Sequence, residues 1–257
     1  MIIDGHAHVT EADYGSPDRL SAQMAEAGIT QAVLVPGGMI DVRRMTRYLT
    51  GQEPVPEGAI PNGVVERLVA QNPGRFFGFY CVNPHDGDRA VEAFRDAIGR
   101  GFRGLKLAPL VHRFALTSET VRDLAEACGA LGVPFYTHVT YSPGAATDKI
   151  GFLAREFPAT TFILGHMGFG PADIDAVELA LRYDNLYLET SGGSFLVLKL
   201  AFERLGAGKL VFGSEFPLYH PRAELEKIRL LADGEAFERI IGTNLLTLLG
   251  ESVRWTR

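Results

Sequence analysis

Cysteine is nearly missing from this chain: Cys81 and Cys128 are the only two thiols in 257 residues, and they form no Cys-x-x-Cys pair. A disulfide framework and a cysteine-ligated zinc knuckle are excluded as organising principles, and both thiols are expected to be buried. Positive charge is also in deficit. Twenty-five Lys and Arg against 31 Asp and Glu leave a net charge of -6, the opposite of the basic footprint of a general nucleic-acid binder. No apolar run approaches the ~20 residues that cross a bilayer, and no signal peptide precedes the first apolar stretch. The expected setting is therefore cytoplasmic, with neither membrane nor nucleic acid as partner. What is present, 46% hydrophobic and 22% charged residues, is the balance of a globular protein with a large core. A small-molecule substrate is the default partner, and a homo-oligomer is an open option.

The opening run Ile2-Ile3-Asp4-Gly5-His6-Ala7-His8 sets two histidines at i and i+2 in a β-branched, strand-like segment. Side chains two apart on a strand share a face, so both imidazoles can reach one metal ion, although histidines also fall two apart by chance. Four later segments share one format, an apolar run ending in a polar residue and followed by a glycine or proline loop. They are Gly101 to Lys106, Val133 to His138, Thr161 to Gly168 and Leu210 to Pro217. Each run fits a strand buried on both faces, and each follows a helical pattern, as in consecutive β/α units.

Eight such units can be read, with strands near 2–6, 31–36, 75–83, 102–107, 133–138, 161–165, 185–190 and 209–213. Functional groups at the carboxyl ends of several parallel strands are the mark of a barrel active site. The expected fold is a single (β/α)8 TIM barrel over residues 1–257, distorted where its strands are short, with an inserted loop after the second strand. That insert, residues 37–63, carries a short helical patch from Asp41 to Leu49 and then breaks at Gly51 to Pro56. It reads either as a wall of the catalytic face or as an ordinary surface insertion. Arg43 and Arg47 have the spacing of one helical face, either solvated or steering a carboxylate. Pro221 to Leu231 reads as the eighth helix and Glu235 to Leu249 as a terminal helix stopped by Gly250.

The chain resembles the amidohydrolase-related group of the amidohydrolase superfamily, which contains metal-dependent hydrolases and the aminocarboxymuconate-semialdehyde decarboxylase relatives. The resemblance runs from Asp4-Gly5-His6-Ala7-His8 through Val82-Asn83-Pro84, Gly104 to Leu107, Thr137-His138, Gly165 to Gly168 and Gly213 to Pro217, ending at Ile241 to Leu246. It implies one divalent ion, zinc first and manganese second, held by His6, His8, His138 and a carboxylate on the eighth strand. The family's usual aspartate there is Glu215 in this chain, one methylene longer, so Glu215 either binds the ion or hydrogen-bonds its water. His166 is implied as a catalytic polariser or proton carrier. Asp4, sharing strand parity with His6 and His8, is expected to be either a carboxylate that accepts the other N–H of a metal histidine or a structural one.

Lys106 ends the fourth strand, where it can anchor a substrate carboxylate, form a carbamate bridge or snorkel to the mouth. His85, His112 and His220 follow the third, fourth and eighth strands, and His220 is the one read as contacting substrate. Ser191 either hydrogen-bonds substrate or caps a helix. The first expectation for function is a metal-dependent hydrolase of a small amide, ester or lactone, with Glu215 as base and His166 steadying the oxyanion. The alternative is a metal-dependent, non-oxidative decarboxylase of an unsaturated or aromatic carboxylic acid. A barrel that only binds a ligand is the third reading.

Overall fold

A computed structural model of the chain describes residues 1–170 and 172–251; residues 252–257 of the expected domain lie outside the described residues. Eight strands run in sequence order: β1 (Ile3–Val9), β2 (Gln31–Pro36), β3 (Phe76–Cys81), β4 (Gly104–Leu107), β5 (Phe135–Thr137), β6 (Phe162–Leu164), β7 (Leu186–Glu189) and β8 (Leu210–Val211). Each pairs in parallel with the next. The last strand is two residues long, so the seam back to β1 closes by single bonds: Gly5 N to Phe212 O at 2.8 Å, Glu215 N to His6 O at 2.7 Å and His8 N to Phe216 O at 2.7 Å. Gly5 is required for that approach, since a Cβ there would lie 2.8 Å from the Phe212 carbonyl oxygen.

Around the strands stand eight helices: α1 (Pro17–Ala27), α2 (Asn62–Gln71), α3 (Asp88–Gly99), α4 (Glu119–Leu131), α5 (Thr147–Glu156), α6 (Ile174–Arg182), α7 (Phe195–Leu205) and α8 (Pro221–Leu231). This is a (β/α)8 TIM barrel. Strand alternation divides its core in two. Leu34, Leu105, Leu107, Phe135, Leu164, Leu186 and Leu188 point outward against the helices. Val33, Val35, Phe77, Phe79, Tyr136, Ile163 and Val211 fill the lumen.

The terminal segment expected as one helix is a helix at Gly234–Glu238, a π-helical stretch at Arg239–Thr243 and a helix at Asn244–Leu248. Its Leu245, Leu246 and Leu249 join the lumen cluster with Ile3 and so plug the barrel's amino-terminal end. The opposite end is left for the site.

The insert holds a 3-10 turn at Val42–Arg44 and a short helix at Met45–Leu49, then no regular element until α2. Arg43 folds back on Asp41, with bonds of 2.9 and 2.8 Å, whereas Arg44 and Arg47 converge on Glu53. All three arginines are exposed and paired within the insert, the solvated arrangement that was one of the two readings of Arg43 and Arg47.

Candidate metal centre and its cavity

The site begins with an irregularity in β1. Asp4 pairs with Ala32 and Ala7 with Leu34, so Gly5 and His6 together face the single residue Val33, a β-bulge. The bulge re-aims His6, and Asp4 Oδ1 accepts the displaced His6 N–H at 3.0 Å. Asp4 also takes Ser214 N at 2.8 Å and the Ser214 hydroxyl at 2.5 Å. Asp4 is therefore a staple between β1 and the residues after β8. Of its two expected roles this is the structural one, and it does not accept an imidazole N–H. Burial pushes its carboxyl up to about 7.

The imidazole acceptors lie elsewhere. His8 Nδ1 meets the Pro36 carbonyl at 3.2 Å, and a carbonyl only accepts, so Nδ1 carries the proton and Nε2 presents a lone pair. His6 Nδ1 lies 2.8 Å from the Tyr136 hydroxyl, which gives its own proton to Glu189 Oε2 at 2.8 Å. Tyr136 must then accept from His6, and His6 Nε2 is a second lone pair. The two Nε2 atoms stand 3.0 Å apart, a repulsive contact unless a cation serves both. Lys106 Nζ, 3.3 Å from His6 Nε2, supplies a proton to one of them. His138 Nδ1 is buried with no hydrogen-bond partner among the described residues.

His166 completes the imidazole group, its ring centroid 5.1 Å from that of His6 and 5.9 Å from that of His138. Its Nδ1 lies 3.0 Å from the Ser191 hydroxyl and 3.3 Å from Glu215 Oε2. His166 and Glu215 both have positive φ, 62° and 52°, an uncommon backbone state for residues with side chains and one that clusters at functional sites. Burial, then the Lys106 charge, lowers the pKa of all four imidazoles, with His8 and His166 brought to about 3. Burial, then Glu189, raises Glu215 to about 8, and burial lowers Lys106 to about 8 against the opposing pull of Glu215.

Imidazole nitrogens and a carboxylate are the donor types a divalent zinc or manganese ion takes, and His6 Nε2, His8 Nε2, the unpartnered His138 Nδ1 and Glu215 supply them. The residues fit the ion the resemblance implies. Another trio, His6, His166 and Glu189, brings its candidate ligand atoms within 4.8 Å of one another. Glu189 is already engaged, however. Its Oε1 receives Ser191 N at 2.6 Å, and its Oε2 receives the hydroxyls of Tyr136 and Ser191, both at 2.8 Å, and His166 N at 3.2 Å. With four donors it orients the ligands rather than adding one. Gly213 leaves room for it, as a Cβ there would lie 2.3 Å from Glu189 Oε1.

Above these groups opens a cavity of about 440 Å³. His8, Lys106, His138, His166 and Glu215 line its floor, and its walls are largely apolar. Of the loop histidines, His220 does not line it. His220 caps α8, accepting Arg222 N at 3.2 Å, and its Nε2 turns to Glu26 at 3.7 Å. Its neighbour Tyr219 lines the cavity instead. His85 bonds the His112 carbonyl at 2.9 Å, and neither lines the cavity.

Glu189 and Tyr136 were missed by sequence reasoning. Both follow from alternation: with Leu186 and Leu188 outward, Glu189 points inward at a strand's carboxyl end, and Tyr136 stands two residues before His138 on β5.

A family model described as "Amidohydrolase" matches residues 3–250. A search of curated proteins finds no significant match. Among solved structures, a 2,6-dihydroxybenzoate decarboxylase from Rhizobium is 19% identical with a TM-score of 0.71, covering 97% of this chain and 98% of that one. A dihydroxybenzoic acid decarboxylase from Polaromonas, with bound manganese and the inhibitor 2-nitroresorcinol, is 20% identical with a TM-score of 0.69, covering 97% and 96%. A probable 2-pyrone-4,6-dicarboxylic acid hydrolase from Acinetobacter baumannii is 15% identical with a TM-score of 0.67, covering 97% and 99%. At these identities the likenesses establish the fold.

Proposed function

The chain belongs to the amidohydrolase family, and from that premise we propose that it catalyses the metal-dependent, non-oxidative decarboxylation of an aromatic or unsaturated carboxylic acid. Two of the three structures just named are decarboxylases. That likeness reverses the order of the two reactions expected from sequence, in which hydrolysis stood first.

The carrying observation is the distribution of polarity in the cavity. All of its titratable carboxyl and basic lining groups sit on the floor, and Glu215 is the sole carboxylic acid among the lining residues. Loss of carbon dioxide needs one anchored carboxylate, one acid to deliver a proton and a site that sheds water. Cleavage of the carbon–carboxylate bond leaves its electron pair on the substrate carbon, and a proton must then reach that carbon.

His6 and His8 through Nε2, His138 through Nδ1 and Glu215 would hold the ion, for which manganese has the support of the Polaromonas likeness. The ion would supply the Lewis acidity that fixes the substrate carboxylate and spreads its charge. Lys106, 2% exposed and lining the floor, donates to the same carboxylate and sets its orientation. Glu215 has two oxygens for two duties: one toward the ion, and Oε2, facing His166 at 3.3 Å, to carry the proton. His166 would return a proton to Glu215 from its Nδ1 as its Nε2 takes one from solvent water, so the imidazole stays neutral and water supplies the net proton.

The test is manganese-loaded protein with 2,6-dihydroxybenzoate and its mono-hydroxy analogues, read by carbon dioxide release. In D2O the product should carry deuterium at the carbon that lost the carboxylate. The Acinetobacter likeness keeps lactone hydrolysis as the second reading. Acid production from a pyrone dicarboxylate, with no gas from any benzoate, would select it.

A further inference from the structure

We propose that the cavity selects a monoanionic substrate whose remainder is extended and apolar, and that it rejects a second carboxylate. The inference rests on the decarboxylase reading for the identity of the anchored group. It goes beyond that reading in what it says about the rest of the substrate.

The insert decides the matter by the way it turns. Val42, Met45 and Leu49 stand at spacings of three and four and line the cavity with Met39 and Ile40, as the apolar face of an amphipathic turn. Arg43, Arg44 and Arg47 point the other way, with side chains 66%, 51% and 58% exposed, and each is paired with an acid of the insert itself. The carboxylate-steering role open to these arginines from sequence is therefore not one they are placed to play. Across the cavity the wall is again apolar, formed by Leu110, Val111, Val139, Phe169 and Leu218.

The polar side chains of this wall carry hydroxyl groups and no positive charge: Thr10, Tyr14, Thr140 and Tyr219. The Thr10 hydroxyl accepts Ala12 N at 3.3 Å, the Thr140 hydroxyl accepts Ser142 N at 3.2 Å, and the Tyr14 ring lies under the Arg43 guanidinium at 4.5 Å. Among the described residues no arginine lines the cavity, and the one lysine that does is Lys106, at the floor. A first carboxylate therefore finds Lys106, whereas a second, at the far end of a substrate, would lose water to an apolar wall with no cation to meet it. Burying an unpaired charge is strongly unfavourable. Each added methylene gains instead, by about three- to four-fold in affinity.

The experiment measures binding by calorimetry to the manganese-loaded protein. The probes are 2-hydroxybenzoate, its 4-methyl, 4-ethyl and 4-propyl derivatives, and 2-hydroxyterephthalate, which replaces the alkyl group with a carboxylate. Expected are affinities that climb about three- to four-fold per methylene, and binding of 2-hydroxyterephthalate at least ten-fold weaker than that of the 4-methyl acid. Met45→Arg, and independently Leu110→Arg, should recover at least ten-fold for 2-hydroxyterephthalate and lose affinity for the propyl acid. Equal or tighter binding of 2-hydroxyterephthalate by the native protein, or no gain along the alkyl series, would overturn the inference. Carbon dioxide release is read separately. The expected binding order without gas removes the decarboxylase reading and leaves the selectivity standing, and gas with the inverted order does the reverse.

Discussion

Replacing Tyr136 by Phe tests the hydrogen-bond logic of the metal centre with one oxygen atom removed. In the native chain the hydroxyl is 2.8 Å from both His6 Nδ1 and Glu189 Oε2, and the side chain is 1% exposed. Its loss strips Glu189 of one of four donors and His6 of the acceptor that fixes its tautomer. His6 Nδ1 keeps a poorer contact with Glu189 Oε2 at 3.4 Å, so part of the loss is recovered. The expected cost is ~1–3 kcal/mol, the range for a buried hydrogen bond to a charged group. For a chain of this size that lowers Tm by roughly 2–12 °C. The second consequence is specific: a metal histidine that loses its orienting partner binds its ion ~10–100-fold more weakly. Manganese affinity should be read by competition with a chelator, beside thermal unfolding of the metal-free protein. If Tm falls while the manganese Kd stays within two-fold of native, Tyr136 is a packing residue and the tautomer argument is wrong.

Three further outcomes are expected. His138→Ala should lower metal content sharply while preserving the helical circular dichroism signal, and full occupancy in that variant would remove His138 from the ligand set. Glu215→Gln keeps shape but cannot carry the proton, so carbon dioxide release should fall by ~10²-fold or more with a smaller loss of metal than in His138→Ala. A native rate would show that the proton comes from another group. Saturating the metal-free protein with manganese at about 100 times its Kd should stabilise it by ~2.7 kcal/mol, raising Tm by roughly 5–10 °C; an unchanged Tm in scanning calorimetry would mean that the ion does not bind the folded barrel preferentially.

Much of this architecture was legible because a barrel strand is buried on both faces and stops abruptly at a polar residue. That contrast marked four of the eight strands, and it marked His138, His166 and Glu215 as polar residues at or just beyond their ends. It also applies to Glu189, where the polar Thr190-Ser191-Gly192-Gly193 turn directly beyond the strand makes its last residue hard to tell from the loop. Other features have no local signature. The β1 bulge that turns His6 is set by pairing with β2, which i, i+2 counting assumes to be regular, so parity alone could not decide between the two roles of Asp4. His220 was misplaced for a related reason. Nearness in sequence to Glu215 says nothing about direction, and a helix beginning at Pro221 makes its preceding residue a cap.

The seam between β1 and β8 explains why the least regular part of the barrel carries its chemistry. With only Leu210 and Val211 in β8, a continuous ladder cannot close the sheet, and the work passes to Asp4, Ser214 and the amides of His8 and Glu215. Those groups flank the proposed ligands: Asp4 holds the His6 amide, His6 accepts from Glu215 N, and His8 donates to Phe216. Side chains at a closed ladder would alternate in fixed directions. At this seam the bulge instead re-aims His6, and the left-handed Glu215 backbone turns its carboxylate to His166. An ion bound by His6, His8 and Glu215 would span the same gap that these hydrogen bonds bridge, and the proposed metal centre would then be assembled by the same contacts that close the barrel.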